Sequence, residues 1–371
     1  MDVLPRLDSF RDDVYAGLRP ATFRAAMRRR STAADVDTLS PTPMTTSIAG
    51  EYRDRTTGLI VFGILEIALG ALFLLMVPLV LLSLTMARRQ GGVPVEPLSL
   101  IPAIGFYVLS GTVLGWLGIG SILGRRWARA LWVCLSGGGL AVGVIACPFV
   151  LYMASSFPEM LASSGQQTLP PAALLVARVV MVGFMLLFYI FIPGVLFLFY
   201  RSPHVKRTCE VRDPKERWTD RCPLPVLALS LFTAFSALGT LMLLAFRCVF
   251  PVFGMLLTGA AGCSVILVIS GTMLYLGWGL YRLRINAWRV FAVMMVLMAV
   301  SGAVTFWHID FLTLYAKMGF NSHTTTMAAQ MGNLPLIRWM GLVSMLPWLV
   351  WLLYVRRYFP RTDSAADGAP V

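Results

Sequence analysis

Apolar residues gather in eight runs of 22–30 positions, separated by short polar or basic segments. The runs are Gly58–Met86, Leu100–Leu123, Ala130–Tyr152, Ala172–Tyr200, Leu224–Phe246, Val252–Tyr281, Trp288–Asp310 and Leu334–Val355. Each exceeds the roughly 20 residues that a helix needs to cross a hydrocarbon core. Val226–Phe246 and Gly254–Leu280 carry no charged side chain at all. In lipid, backbone polar groups must be satisfied within the segment, which selects helices. The pattern predicts an all-α membrane protein with eight transmembrane helices. Pro78, Pro148, Pro193 and Pro347 lie inside runs and predict kinks, which membrane helices tolerate.

One segment occurs twice. Ser110–Arg129 reads SGTVLGWLGIGSILGRRWAR, and Ser270–Arg289 reads SGTMLYLGWGLYRLRINAWR. Each is a glycine-rich apolar run, a basic corner, and a tryptophan opening the next run. The Ser-Gly-Thr triplets match at a shift of 160, Trp127 and Trp288 at 161, and Arg178 and Arg338 at 160. Four spans per half is an even number, so both halves enter from the same side. That predicts two parallel four-helix repeats related by an axis along the membrane normal. Gly111 and Gly115, and Gly120 and Gly124, stand four apart, a spacing that lets helices approach closely.

Composition reinforces the pattern: 57% of residues are hydrophobic and 13% charged, far from a soluble domain. The net charge of +13 points to orientation rather than to nucleic acid, because 25 of the 31 Lys and Arg fall in segments that share one side of the membrane. By the positive-inside rule both termini are cytoplasmic, with Arg88 and Arg89 the exceptions. The expected location is an inner (plasma) membrane of bacterial type. The expected domains are a polar tail (1–57), a first repeat (58–200), a charged connector (201–223), a second repeat (224–355) and a short tail (356–371). Phe10, Val14 and Leu18 share one helical face, compatible with a surface helix as well as with a disordered arm. Met44 is a plausible alternative start, and the first 57 residues hold no apolar signal core.

Ionisable and hydroxyl groups inside the runs are the candidates for chemistry, because polar groups in lipid are expensive. Glu66 lies in the first run and Arg178 in the fourth, at depths compatible with an arginine that reaches the carboxylate or snorkels outward, and so with a gated polar pathway or a structural ion pair. Thr112 and Thr272 fall near mid-depth and are candidates for a polar site between the halves, or for bonding to their own backbone. His308, Asp310 and Arg338 belong at the outer interface, with Arg338 near Asp310 or the surface. Glu66 has no acidic counterpart in the fifth run, nor Asp310 in the third.

The connector contains His204, Cys209 and Cys222 but no CxxC pair and no fourth ligand, so no metal site is expected. No catalytic motif occurs and no cofactor is expected. The expected partners are the bilayer, with anionic headgroups at the basic loops, and a second membrane protein or copy. The leading functional reading is a small-solute permease or channel-like protein. The alternative is a non-catalytic assembly or accessory subunit, with an intramembrane enzyme last. A wet cavity between the halves lined by Thr112, Thr272 and Glu66 favours the first; a dry interface favours the second.

Overall fold

The computed structural model describes residues 53–89, 100–163, 170–320, 339 and 346–359. Among these, seven helices are long and apolar enough to cross a membrane, and the chain is a multi-pass, all-α integral membrane protein. The helices are α1 (Thr56–Arg89), α2 (Ile101–Ile122), α3 (Arg126–Ser163), α4 (Pro171–Arg201), α5 (Pro203–Arg212), α6 (Leu224–Leu241), α7 (Gly259–Tyr281), α8 (Ile285–His308), α9 (Phe311–Lys317) and α10 (Leu346–Val355). Much of the eighth expected span, with Arg338, lies outside the described residues, as does most of the amino-terminal tail. Large apolar side chains such as Leu198, Val268 and Leu353 stay exposed on helix surfaces, where lipid replaces water as solvent.

The first two spans pair antiparallel through glycines. A Cβ on Gly118 would fall 2.7 Å from the Gly63 carbonyl oxygen, and one on Gly111 would fall 2.8 Å from that of Gly70. The close approach therefore recurs every seven residues, the repeat of a left-handed helix pair, rather than at the four-residue spacing of Gly111 and Gly115. Nothing lies within 4 Å of a Cβ on Gly115. Gly120 instead clears Trp127 and Ala128 at the start of α3. In the other half α6 and α7 pair similarly, and Ser230 Oγ donates to the Gly277 carbonyl at 2.7 Å.

The two basic corners share one backbone geometry. Gly124 N–H donates to Ser121 O and Arg125 N–H to Gly120 O, both at 2.9 Å; Leu283 N–H donates to Leu280 O at 2.9 Å and Arg284 N–H to Gly279 O at 3.1 Å. This is a helix C-terminal motif with a left-handed residue, φ +63° at Gly124 and +56° at Leu283. The geometric register is a shift of 159, and buried positions obey it: Gly111, Leu117, Gly118, Gly120 and Ser121 of α2 map onto Ser270, Leu276, Gly277, Gly279 and Leu280 of α7. Ser270 thus takes the buried place of Gly111, and the matching Ser-Gly-Thr letters are one residue out of register. The tryptophans differ as well. Trp127 stacks on Trp116 at 4.1 Å, whereas Trp288 Nε1 donates to the Leu352 carbonyl at 3.1 Å. In α1 and α6 the shift is 167: buried Leu59, Gly63, Glu66 and Gly70 align with buried Val226, Ser230, Thr233 and Ala237.

The connector is folded. Asp213, which ends α5, is 2% exposed and accepts both Arg217 Nε (2.9 Å) and Nη2 (2.8 Å). It also lies 3.7 Å from Arg125, and Asp220 lies 3.8 Å from Arg126. Arg55 N–H donates to Thr208 Oγ1 at 3.2 Å. On the other half Tyr281 Oη donates to the Trp218 carbonyl at 2.9 Å. The segment thereby clasps both corners and the start of α1. Arginines overlie aromatic rings on this face, Arg282 and Arg284 on Trp278 and Arg356 on Trp288.

The far end of the second half departs from expectation. The sixth span was expected from Val252, yet 250–257 form an antiparallel hairpin of β1 (Phe250–Val252) and β2 (Met255–Leu257). Pro251 and the left-handed backbone at Phe253 and Gly254 suit a turn better than a helix. Cys248 and Cys263 form a disulfide across its base. Its tip docks on α8, Phe253 N–H donating to Ser301 Oγ and Gly254 N–H to Thr305 Oγ1, both at 3.1 Å.

Candidate functional site

Glu66 is the one charged side chain that the described membrane-spanning helices bury almost completely, at 4% exposure. Its neighbours come from three other helices. Tyr200, fully buried near the end of α4, donates from Oη to Glu66 Oε1 at 2.7 Å. A phenol carries a single proton, so the 2.8 Å contact between Tyr200 Oη and Ser121 Oγ is one in which Ser121 donates. Trp132 of α3 stacks parallel on Tyr200, ring centroids 5.9 Å apart. Its indole nitrogen lies beside the same carboxyl without closing a hydrogen bond. Glu66 Oε2 and Trp132 Nε1 are both buried without a partner.

Glu66 and Trp132 both line a partly open cavity of about 500 Å³ whose other walls are apolar apart from Ser136. Phe62, Leu65 and Leu69 of α1, Leu114 of α2, Leu135 of α3 and Phe188–Leu196 of α4 supply most of the lining. The wall from α4 is shaped by proline. Pro193 has no N–H and its ring would strike the Tyr189 carbonyl in a regular helix. The chain instead adopts a π-helical turn over Leu186–Phe191, a feature that often marks functional sites. Gly143 of α3 packs directly against the Tyr189 carbonyl, where any side chain would collide.

The expected Glu66–Arg178 pair does not form. Arg178 Nη2 donates to the Ser155 carbonyl at 3.1 Å. Arg178 and Tyr200 are 22 residues apart on one span, about 33 Å along a helix, so the arginine is far from the carboxyl that Tyr200 holds. The described spans of 31 residues are longer than a bilayer core requires, which is why equal depths read from the run ends mislead. Thr112 is exposed and Thr272 half-buried, and each hydroxyl donates to the carbonyl four residues back, Val108 or Val268, at 2.7 Å. Asp310 caps α9, accepting from Leu312 N–H (3.1 Å), Thr313 N–H (3.2 Å) and Thr313 Oγ1 (2.6 Å). Its carboxyl is held below the ordinary range first by the Thr313 hydroxyl. His308 Nδ1 lies 3.0 Å from the Val304 carbonyl.

Cys209 and Cys222 belong to different apolar clusters, and burial pushes each thiol up to about 11. Among the described residues no group of three potential ligands could hold a metal.

Ser121, Trp132 and Tyr200 are absent from the sequence candidates. In the sequence Tyr200 marks only the end of the fourth run.

A second cavity, about 430 Å³, lies where α2, α3 and α6 meet between the halves. Val113, Trp116, Leu131, Cys134, Leu231 and Phe235 are among its walls, and no charged residue lines it. A third, about 170 Å³, sits within the second half. Seven of its eight lining residues, Leu229, Phe232, Thr233, Ser236, Met273, Phe291 and Met295, are the positions that the shifts of 167 and 159 assign to Phe62, Leu65, Glu66, Leu69, Leu114, Trp132 and Ser136 of the Glu66 cavity. Under the same shift Ser121 becomes Leu280 and Tyr200 becomes Phe359. No family model, curated protein or solved structure matches the chain.

Proposed function

We propose that this is a non-catalytic accessory or assembly protein of the membrane, built from two parallel four-helix repeats and acting through lateral contacts in the bilayer. The observation that carries the reading is the mostly apolar cavity between the halves, which offers a solute no charged lining. A permease needs an aqueous route, and Thr112 and Thr272 spend their hydroxyls on their own helices. The repeat is supported by the two shared corners and by the residue-for-residue match of two cavities. The eighth span, which α10 ends, completes the second quartet. Cytoplasmic placement of the basic face draws on a second fact besides charge. Cys209 and Cys222 beside that face are free thiols, while Cys248 and Cys263 at the opposite end are joined, as expected across a membrane with a reducing and an oxidising side.

Thiol labelling in sealed vesicles tests the reading. In a chain whose four free cysteines are replaced by alanine, Gly138→Cys places a thiol in the interface cavity, where a side chain meets open space. A membrane-impermeant maleimide should leave it unlabelled while labelling Lys215→Cys in the connector from the cytoplasmic side. Comparable labelling at both positions would reveal a water-filled path and overturn the accessory reading.

A further inference from the structure

We infer that the Glu66 cavity is a binding site for a bilayer-soluble molecule with an apolar body and a hydroxyl at one end, the chemistry of a long-chain alcohol or a glycerolipid with a free hydroxyl. Glu66 and Trp132 line the same cavity, and Glu66 Oε2 and Trp132 Nε1 have no hydrogen-bond partner, although native proteins rarely leave buried polar atoms unsatisfied. Trp132 Nε1 is a donor, and a carboxyl oxygen accepts when ionised and donates when it holds the proton. A hydroxyl serves either state, accepting from Trp132 Nε1 while donating to Glu66 Oε2 or accepting from it. A hydrocarbon serves neither atom, and a second carboxyl beside Glu66 could not ionise together with it.

The cavity suits such a body. Its volume of about 500 Å³ lies in the range of small-molecule sites that pair apolar walls with a few placed polar groups. Entry is from lipid, because α1 and α4 meet near the connector through Phe62 and Phe199, rings 4.5 Å apart, whereas Leu65 and Phe191 on the rim remain 58% and 64% exposed. The second half supplies an internal contrast. At the corresponding positions Thr233 bonds to its own Leu229 carbonyl at 2.7 Å, Phe291 replaces the indole, and the cavity shrinks to about 170 Å³. A site that exists only to fill space needs no such difference. The inference does not depend on whether the protein is an accessory subunit.

The test uses the full chain in phosphatidylcholine vesicles and a photoactivatable diazirine analogue of hexadecanol, with the labelled peptide identified by mass spectrometry. Labelling should concentrate on α1 and α4 around Leu65 and Phe191. Unlabelled hexadecanol should compete at least tenfold better than hexadecane or palmitate, a difference of about 1.4 kcal/mol. Trp132→Phe, which installs the second-half residue, should weaken labelling tenfold. Equal competition by hexadecane would overturn the inference, since recognition would then owe nothing to the hydroxyl. So would label spread evenly over all lipid-facing helices. Both arms with competitors use the unaltered protein, so a variant that fails to fold leaves the test intact.

Discussion

Replacing Tyr200 by Phe isolates the energy held by the buried polar cluster. The ring survives, with its stacking on Trp132, and only the hydroxyl is lost. That hydroxyl donates to Glu66 Oε1 at 2.7 Å and accepts from Ser121 at 2.8 Å. Hydrogen bonds between membrane helices contribute about 0.6 kcal/mol each on average and those in soluble proteins about 1, so the pair accounts for about 1–2 kcal/mol. Stranding the Glu66 carboxyl adds a desolvation penalty of about 1–3 kcal/mol. Tyr200→Phe should therefore destabilise by about 2–5 kcal/mol, read from reversible unfolding in mixed detergent micelles. The second half shows how to relieve it. Thr233, aligned with Glu66, satisfies its own hydroxyl through the Leu229 carbonyl, so Glu66→Thr should do the same through Phe62. Ser121 can turn back to its own helix. The Tyr200→Phe, Glu66→Thr double variant should accordingly recover about 2 kcal/mol relative to the sum of the single changes. Additive losses would refute both the cluster's coupling and the alignment of the two halves.

Other parts of the fold make separate commitments. The Arg217 guanidinium, bonded through two nitrogens, holds the Asp213 carboxyl below the usual carboxylate range. A lowered folded-state value means stabilisation that is present above about pH 4 and lost as pH falls through the folded value. Asp213→Asn should remove about 1–2 kcal/mol at pH 7, expose the connector to trypsin, and flatten the acid limb of the stability profile; an unchanged acid limb would count against the clasp. Gly118→Ala drives a Cβ against the Gly63 carbonyl and should cost about 1–3 kcal/mol, whereas Gly115→Ala meets open space and should be neutral or stabilising by about 0.5–1 kcal/mol. Equal effects in thermal unfolding would reject the seven-residue pairing. Reducing Cys248–Cys263, which closes a loop of 15 residues' separation, should lower stability by about 3 kcal/mol, so a melting curve indifferent to a phosphine reductant would argue that the hairpin holds without it.

The spans were legible because burial in lipid demands long apolar runs, and α1, α2 and α4 begin and end within a few residues of theirs, while α3 continues to Ser163, past the expected end at Tyr152. The hairpin at 250–257 was not, since Phe250, Val252, Met255, Leu256 and Leu257 are as apolar as the helix they precede and hydropathy ignores backbone geometry. The basic corners were visible as letters, but identity fixed the register one residue off. Burial and the left-handed residue set the true alignment, and Leu283 occupies the place of Gly124. Glu66 stood out as a charge inside a run. Its partners did not, because Tyr200 and Trp132 lie at run ends where aromatics are common for other reasons. The Glu66–Arg178 pairing failed on length: depth counted from both ends assumes spans that match the bilayer, and these exceed it.

The distribution of polarity between the halves bears on where any activity resides. If a four-helix unit was duplicated, the two copies began with the same side chains in both cavities, and each later difference reflects what one copy needs. The differences are concentrated. At the corner, the small residues that let helices touch are kept or exchanged for others of similar size, such as Gly120 and Gly279 against Ala128 and Ala287. In the cavities, Glu66, Ser121, Trp132 and Tyr200 stand against Thr233, Leu280, Phe291 and Phe359. The second set joins a continuous apolar cluster in which Leu280, Phe291 and Phe359 are all buried. Burying a carboxyl in place of a threonine lowers stability unless a ligand or partner recovers the loss, so drift toward stability alone favours the apolar set. The polar set in the first half is the costly one, which is what the proposed ligand site there requires and the second half does not.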